Sequence, residues 1–288
     1  MKLSKRKLLY TAYFIGVTVF FLYFLFPSDA VKDYVVYKIS QAMPGLGVTI
    51  DRVSPVFPPG IKLQDIGITH GGRALIAIDS VKVTPGLLSV FSSKKTARFK
   101  GRVNAGTLNG WAETDSRGAG SAELIEATFS GIQVQKIPAL KNLTAHKISG
   151  SLGGDFKLAG TGPSRSMTGK LSLSNSRIDF DQPVFDQSSL EFGNIDADLV
   201  LNKGTLFIKN CRARGGQLDA DISGSIAMNR SGRSKALNLN GSVTPQHGLL
   251  ARLGKSLPAA LLQQQRAGKK AISFSIEGSM ESPEFRLN

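Results

Sequence analysis

Apolar and polar residues alternate along most of the chain, and at recurring places the alternation steps out of phase. In VTIDRVSP, residues 48–55, Val48 and Ile50 alternate with polar residues. Asp51 and Arg52 then stand together, and Val53 has changed parity. Side chains two apart in a strand share a face, so a regular strand sends Val53 to the side opposite Val48 and Ile50. The spacing recurs in IKLQDIGI (Ile61, Leu63, Ile66, Ile68) and IAIDSVKV (Ile76, Ile78, Val81, Val83). It recurs again in AELIEATF (Ala122, Leu124, Ala127, Phe129) and LFIKNCRA (Leu206, Ile208, Cys211, Ala213). LSLSNSRI fits with Leu171, Leu173 and Ile178 and puts Ser176 in the remaining slot. These windows are rich in β-branched residues and bounded by Gly, Pro and Asn, which favours strands over a poor helical spacing. The pattern predicts a bulge in each strand, one extra residue re-aiming the pleat so that the apolar side chains share a face. The alternative is a strand covered on both sides, where parity matters little.

Turn signals separate the strand-like runs at Pro58-Pro59-Gly60, His70-Gly71-Gly72, Pro85-Gly86, Asn109-Gly110, Gly153-Gly154, Asn202-Lys203-Gly204 and Gly215-Gly216. Short runs between regular turns predict an antiparallel meander rather than βαβ units. A coarser repeat, apolar-x-apolar-x-Gly followed by Pro, appears in FKLAGTGP (156–163), LNLNGSVTP (237–245) and FSIEGSMESP (274–283). ISGSL (148–152) and ISGSI (222–226) are near duplicates. Such strand-Gly-turn units suggest a sheet extended by stacking like elements. Two helical insertions interrupt it: a turn or two in GLLSVFSS, 86–93, and the Leu-rich segment 247–268, broken by Pro258. The latter would cap a sheet edge or lie on a membrane surface.

The N-terminus has a different pattern. Residues 8–26, LLYTAYFIGVTVFFLYFLF, carry no charge, close to the ~20 residues that span a bilayer as a helix. Tyr10, Tyr13 and Tyr23 lie near its ends, Lys2, Lys5, Arg6 and Lys7 precede it, and Asp29, Lys32 and Asp33 follow. By the positive-inside rule, residues 1–7 form a cytoplasmic tail, 8–26 a single transmembrane helix, and everything beyond lies across the membrane, in a bacterium the periplasm. The rival reading is a cleaved signal peptide, with Ser28 and Ala30 as its small-residue site, although the apolar run exceeds the usual ~7–15 residues. Residues 27–47 form a juxtamembrane segment. Within it, SDAVKDYVVYKISQAM predicts a short helix capped by Ser28, with Val31, Tyr34, Val35, Ile39 and Ala42 as an apolar stripe docking on the sheet. Residues 48–288 form the β-domain.

Composition narrows the function. The chain of 288 residues is 41% apolar with 31 Gly and 12 Pro, which is globular and turn-rich. Its formal charge of +15 points to an anionic membrane surface, an acidic partner or nucleic acid. No aromatic-interleaved basic stretch or nucleic-acid motif supports the last, so nucleic acid is not an expected partner. Apart from the four basic residues at the N-terminus the surplus is spread along the chain, with a modest cluster at Lys94, Lys95, Arg98, Lys100 and Arg102. His70, His146 and His247 stand apart without metal-ligand spacing and read as solvated loop histidines. GTGPSRSMTGKL, 160–171, has the wrong glycine separation for a phosphate loop, with Leu171 where Ser or Thr should follow the lysine. Asp196 and Asp198 read as the solvent face of a strand. Cys211 fills an apolar slot of the repeat, as a small buried hydrophobe would. No catalytic, cofactor-binding or metal-ligating residue is assigned, and the expectation is a non-enzymatic protein without a cofactor.

The anchor, the short helix, VTIDRVSPVFPPGIKLQDIGI and ALIAIDSVKVTPGLLSV resemble the start of AsmA-like periplasmic proteins. FKGRVNAGTLNGWAE, KISGSLGGDFKLAG, segment 247–268 and the ending ISFSIEGSMESPEFRLN look like one compact branch of that group, the general secretion pathway protein N family of type II secretion systems. The resemblance implies a mainly β fold: an N-terminal transmembrane helix, then a curled antiparallel AsmA-like sheet with short capping helices. It also implies an inner-membrane, single-pass accessory or structural component of type II secretion, partnered by other inner-membrane components or the outer-membrane secretin. The wider group implies the alternative, a lipid-binding or lipid-transfer module in outer-membrane biogenesis with phospholipid in an apolar groove.

Overall fold

The computed structural model describes residues 5–42, 45–57, 59–87, 89, 92–115, 124–143, 147–160, 165–184, 187–228, 234–246, 271–279 and 282–287. Two helices, α1 (Lys5–Phe24) and α2 (Ser28–Ala42), precede the sheet. The first seven strands are β1 (Leu46–Val56), β2 (Gly60–His70), β3 (Arg73–Pro85), β4 (Lys94–Val103), β5 (Gly106–Asp115), β6 (Leu124–Gln133) and β7 (Lys147–Ala159). The rest are β8 (Ser166–Val184), β9 (Gln187–Asn202), β10 (Thr205–Arg214), β11 (Leu218–Met228), β12 (Ser234–Pro245), β13 (Ile272–Gly278) and β14 (Pro283–Leu287). All fourteen form one sheet in sequence order, each pair of neighbours antiparallel, with β1 and β14 as its two edges. The fold is therefore mainly β and a pure meander, as the turn spacing predicts. A helix absent from the sequence reading, α3 (Pro138–Leu143), follows a 3-10 turn at Val134–Lys136 and lies against β3. Segment 247–268, His146 and His247 lie outside the described residues.

Among the described residues, three hairpins turn on two residues with positive φ, which matches the twist of the flanking strands. These are Gly71-Gly72 (55° and 78°), Lys203-Gly204 (47° and 77°) and Asn104-Ala105 (48° and 70°). The last replaces an expectation, because Asn109-Gly110 lies inside β5 and Gly153-Gly154 inside β7. The reason is cross-strand: Gly110 sits under the Phe99 ring of β4, and Gly154 under Phe129 of β6. Gly241 likewise sits under Phe274, mid-strand rather than at a turn. Gly150 and Gly224, from the two near-duplicate pentapeptides, share almost one backbone setting (φ 145° and 144°).

In β1, β2, β3 and β10 the parity switch keeps its apolar residues on one face, but not by a bulge everywhere. Ile50, Val53, Leu63 and Ile66 form one buried cluster, with Ile78 and Val81 packed against it. Yet β1, β2 and β3 keep a constant register through the switch: Ile50 faces Ile66, Ile66 faces Ile78, Val53 faces Leu63 and Leu63 faces Val81. Each strand spends two residues between its two apolar rows, so the step is a crease shared by three strands. Asp65, at the crease, takes φ 51°. A true bulge occurs in β10, where Lys209 and Asn210 together span one residue on both β9 and β11. At the switch in β8 the register slips against β7 and holds against β9, where it shifts only beyond Asp179, with Asn175 at φ 50° and Ser176 buried. In AELIEATF the expectation fails: the register does not slip from Leu124 to Phe129, so Leu124 falls on the polar face opposite Glu113 while Ala127 and Phe129 stay on the apolar one. Ala122 lies outside the described residues, and the bulge of β6 falls later, between Phe129 and Ile132.

Helix α2 covers the apolar face at the first strands through Val31, Val35 and Val36, joined by Phe26. Tyr34, expected in its buried stripe, is exposed, and Val36 takes that side instead. Helix α1 leaves Tyr10, Phe14, Phe20 and Phe24 exposed. Among the described residues, no helix is long and apolar enough to cross a membrane.

Candidate apolar binding face

Register turns the local alternation into a surface. One row crosses all fourteen strands from Pro55 on β1 to Phe285 on β14, by way of Phe99, Phe156, Ile208 and Leu239. A second row runs beside it from Val53 to Leu287, by way of Leu108, Phe129, Cys211 and Phe274. Every position in both rows is aliphatic, aromatic, Gly, Pro or Cys. A third row, Ala97 to Pro283 through Ile125, Leu158, Leu206 and Leu237, extends the face from β4 to β14. The phenyl rings lying over glycines of neighbouring strands fill what would be gaps, the arrangement that stabilises glycine within a sheet. Ala127, Leu237 and Phe274 are buried, most other members are half-buried, and Phe285 and Leu287 are exposed at the β14 edge. Among the described residues, no helix contacts β8–β13 as α2 contacts β1. An apolar surface of this extent is a place for an apolar ligand or partner.

The opposite face is mostly polar and carries the ion pairs. Glu126 accepts from Lys157 Nζ (2.8 Å) and from Trp111 Nε1 (3.2 Å). The Lys157 hydrogen bond, opposed by partial desolvation, holds the Glu126 carboxyl below the usual carboxylate range. Arg177 pairs with Asp179 (2.7 Å) and Glu191 (2.9 Å), and its guanidinium pKa is raised, chiefly by Asp179. Arg214 forks onto Asp221 at 2.8 and 3.1 Å and is raised for the same reason. Asp196 and Asp198 lie on this face, with Asp198 opposite Lys170. Single surface pairs of this kind contribute little stability each.

Cys211 lies half-buried in the second apolar row between Ala197 and Ile222. Burial above all, with Asp221 and Asp196 adding to it, pushes its thiol pKa up, the reverse of an activated nucleophile. His70 is half-buried at the end of β2, its Nδ1 3.0 Å from the Gly45 carbonyl oxygen, and so ties down the chain entering β1. Residues 161–164 of the loop-like 160–171 lie outside the described residues, and from Ser166 that segment is strand. Among the described residues, no group of three His, Cys, Asp or Glu could hold a metal ion.

The continuity of the rows was not readable from any single strand, because it depends on which residues pair. The Phe–Gly partnerships carried one local sign, glycines inside otherwise strand-like runs. No protein-family model, no curated protein and no solved structure matches the chain.

Proposed function

We propose that the chain is a membrane-anchored accessory component of a type II protein secretion system, as its resemblance to the general secretion pathway protein N family implies. What supports this reading is the direct passage from an N-terminal apolar helix, through α2, into one fourteen-stranded meander whose edge strands β1 and β14 have no further strand partner among the described residues. In this reading residues 8–26 span the inner membrane, where the exposed aromatic side chains of α1 meet lipid, and the sheet stands in the periplasm. The protein acts as a scaffold without catalytic chemistry, meeting secretion partners through its edges and faces. A reporter fused after Asn288 is expected to be active only as a periplasmic reporter, and cytoplasmic activity there overturns the topology. Mild-detergent extracts are expected to co-purify other inner-membrane secretion components or the secretin with the chain. Recovery of neither overturns the secretion reading.

The rows favour a second reading in particular. Three contiguous apolar rows on a sheet whose other face is polar suit acyl chains laid across the strands, the AsmA-like lipid-handling alternative. Phospholipid retained by the purified full chain at a constant ratio, and lost with Leu239→Asp, supports it. Lipid-free protein rejects it.

A further inference from the structure

The polar face of the first four strands carries a charge pattern that folding does not explain. Lys62, Lys82 and Lys100 face one another in register on β2, β3 and β4. With strands ~4.8 Å apart, three ammonium groups share about 10 Å of sheet. Like charges directly opposite each other across strands destabilise the pairing. Arg52, Arg98 and Arg102 flank this ladder on the same face, all three exposed.

Their neighbours do little to relieve the repulsion. Lys82 Nζ donates to the Phe57 carbonyl oxygen at 3.2 Å. Among the described residues, none of the six has a carboxylate within ion-pair distance. Asp51, Asp65 and Asp79 line the crease beside them, and Glu113 is taken by Lys94 at 2.7 Å. Lys95, grouped with this cluster by sequence, instead donates to the Ser89 and Ser92 carbonyls. Beyond β5 the same face mixes signs and pairs them.

We infer that this ladder rests on an anionic phospholipid bilayer, its lysines and arginines on the phosphodiester headgroups. A protein partner fits less well. The polar-face neighbours are Ser54, Gln64, Ser80, Thr84 and Thr96. The nearby aromatic residues, exposed Phe57 just past β1 and half-buried Trp111 on β5 opposite Arg98, stand four strands apart and form no packed anchor for a docked surface. A fluid charged surface needs no such anchor, only a cluster of cations within a Debye length. The location agrees: three residues separate α1 from α2, and α2 packs on the opposite face of these same strands. If α1 is the membrane anchor, as proposed above, these strands are held next to the lipid surface. The inference deepens that reading and rests on it for location alone.

The test reconstitutes the full chain into vesicles of phosphatidylcholine alone or mixed with phosphatidylglycerol. Acylation of Lys62, Lys82 and Lys100 by a membrane-impermeant amine reagent is followed by mass spectrometry, with Lys170 as the internal reference. Slowing of the three lysines by severalfold on anionic vesicles only, reversed by 1 M salt, is the expected result. Peripheral binding should fall roughly fivefold for each lysine neutralised, so on the order of a hundredfold for K62Q/K82Q/K100Q. That variant also loses cross-strand repulsion, so it is expected to fold at least as stably. Equal labelling rates on both vesicle types overturn the inference. Flotation of the chain with phosphatidylcholine vesicles reports α1 separately: failure to float rejects the anchor, while anionic vesicles mixed with the unanchored chain still test the ladder.

Discussion

Gly110 gives the sharpest test of how the sheet is packed. A Cβ built there runs into the Phe99 ring at Cζ and Cε2 and into the carbonyl oxygen of Glu126. The ring end can swing aside, but the carbonyl belongs to the β5–β6 ladder and cannot move without disturbing the pairing. Overpacking of this kind costs about 1–3 kcal/mol. Against it stands the ~0.5–1 kcal/mol gained when Gly in a strand gains a side chain. Gly110→Ala is therefore expected to destabilise by about 1 kcal/mol, and by at most ~2.5. Gly153 is the control, another strand-interior glycine whose added Cβ meets nothing nearer than the Phe129 carbonyl oxygen at 3.5 Å, an ordinary contact. Gly153→Ala should be neutral or stabilising by up to ~1 kcal/mol. Both variants are compared by urea unfolding of the full chain in mild detergent, followed by circular dichroism. Combining Gly110→Ala with Phe99→Leu should recover part of the loss, a coupling of at least ~0.5 kcal/mol, and leave the share due to the Glu126 carbonyl. If Gly110→Ala costs no more than Gly153→Ala, the ring-over-glycine packing is not what holds these strands.

Asp65 sits at φ 51°, where a non-glycine residue loses ~1–2 kcal/mol. Asp65→Gly should thus be neutral or stabilising in thermal unfolding and Asp65→Val destabilising by ~1 kcal/mol or more, and the reverse order refutes the crease. The lowered Glu126 pKa contributes stability above the ordinary carboxyl range that is lost as pH falls through the folded value. Fluorescence of Trp111, the single tryptophan, should therefore show an acid transition below that range which moves up in Lys157→Gln. The raised Cys211 pKa acts in the opposite sense: its contribution is present below the ordinary thiol value, ~8.5, and lost as pH rises through the folded pKa. Thiol labelling of the folded chain should accordingly lag behind a free thiol at pH 8, and Cys211→Ala should cost ~1 kcal/mol or less.

The meander was legible because hairpin turns leave short-range marks. Gly71-Gly72 and Lys203-Gly204 announce φ > 0 in their composition, whereas Asn104-Ala105 does not. Asn109-Gly110 has the strongest turn composition of all, yet stays in a strand because Phe99, eleven residues earlier, needs the space above the glycine. The shared face of Ile50 and Val53 was legible from spacing. The means was not, since a crease and a bulge give one sequence pattern and differ only in whether the partner strand steps too. The same limit hid the lysine ladder. Lys62 and Lys82 look like isolated charges in sequence, and only the constant register of β2, β3 and β4 stacks them beside Lys100. Long-range pairing carries both surfaces, and local pattern carries neither.

The central claim is that the two faces of this open sheet have different roles, the apolar one being where a ligand or partner binds. Leu239, on the first apolar row, and Asn240, its neighbour on the polar face, can each be replaced by a photo-crosslinking amino acid in the full chain in cells. Irradiation is expected to give discrete adducts, phospholipid or a secretion component, from position 239 and none of the same from 240. No adduct at 239, or the same adducts from both positions, contradicts the account.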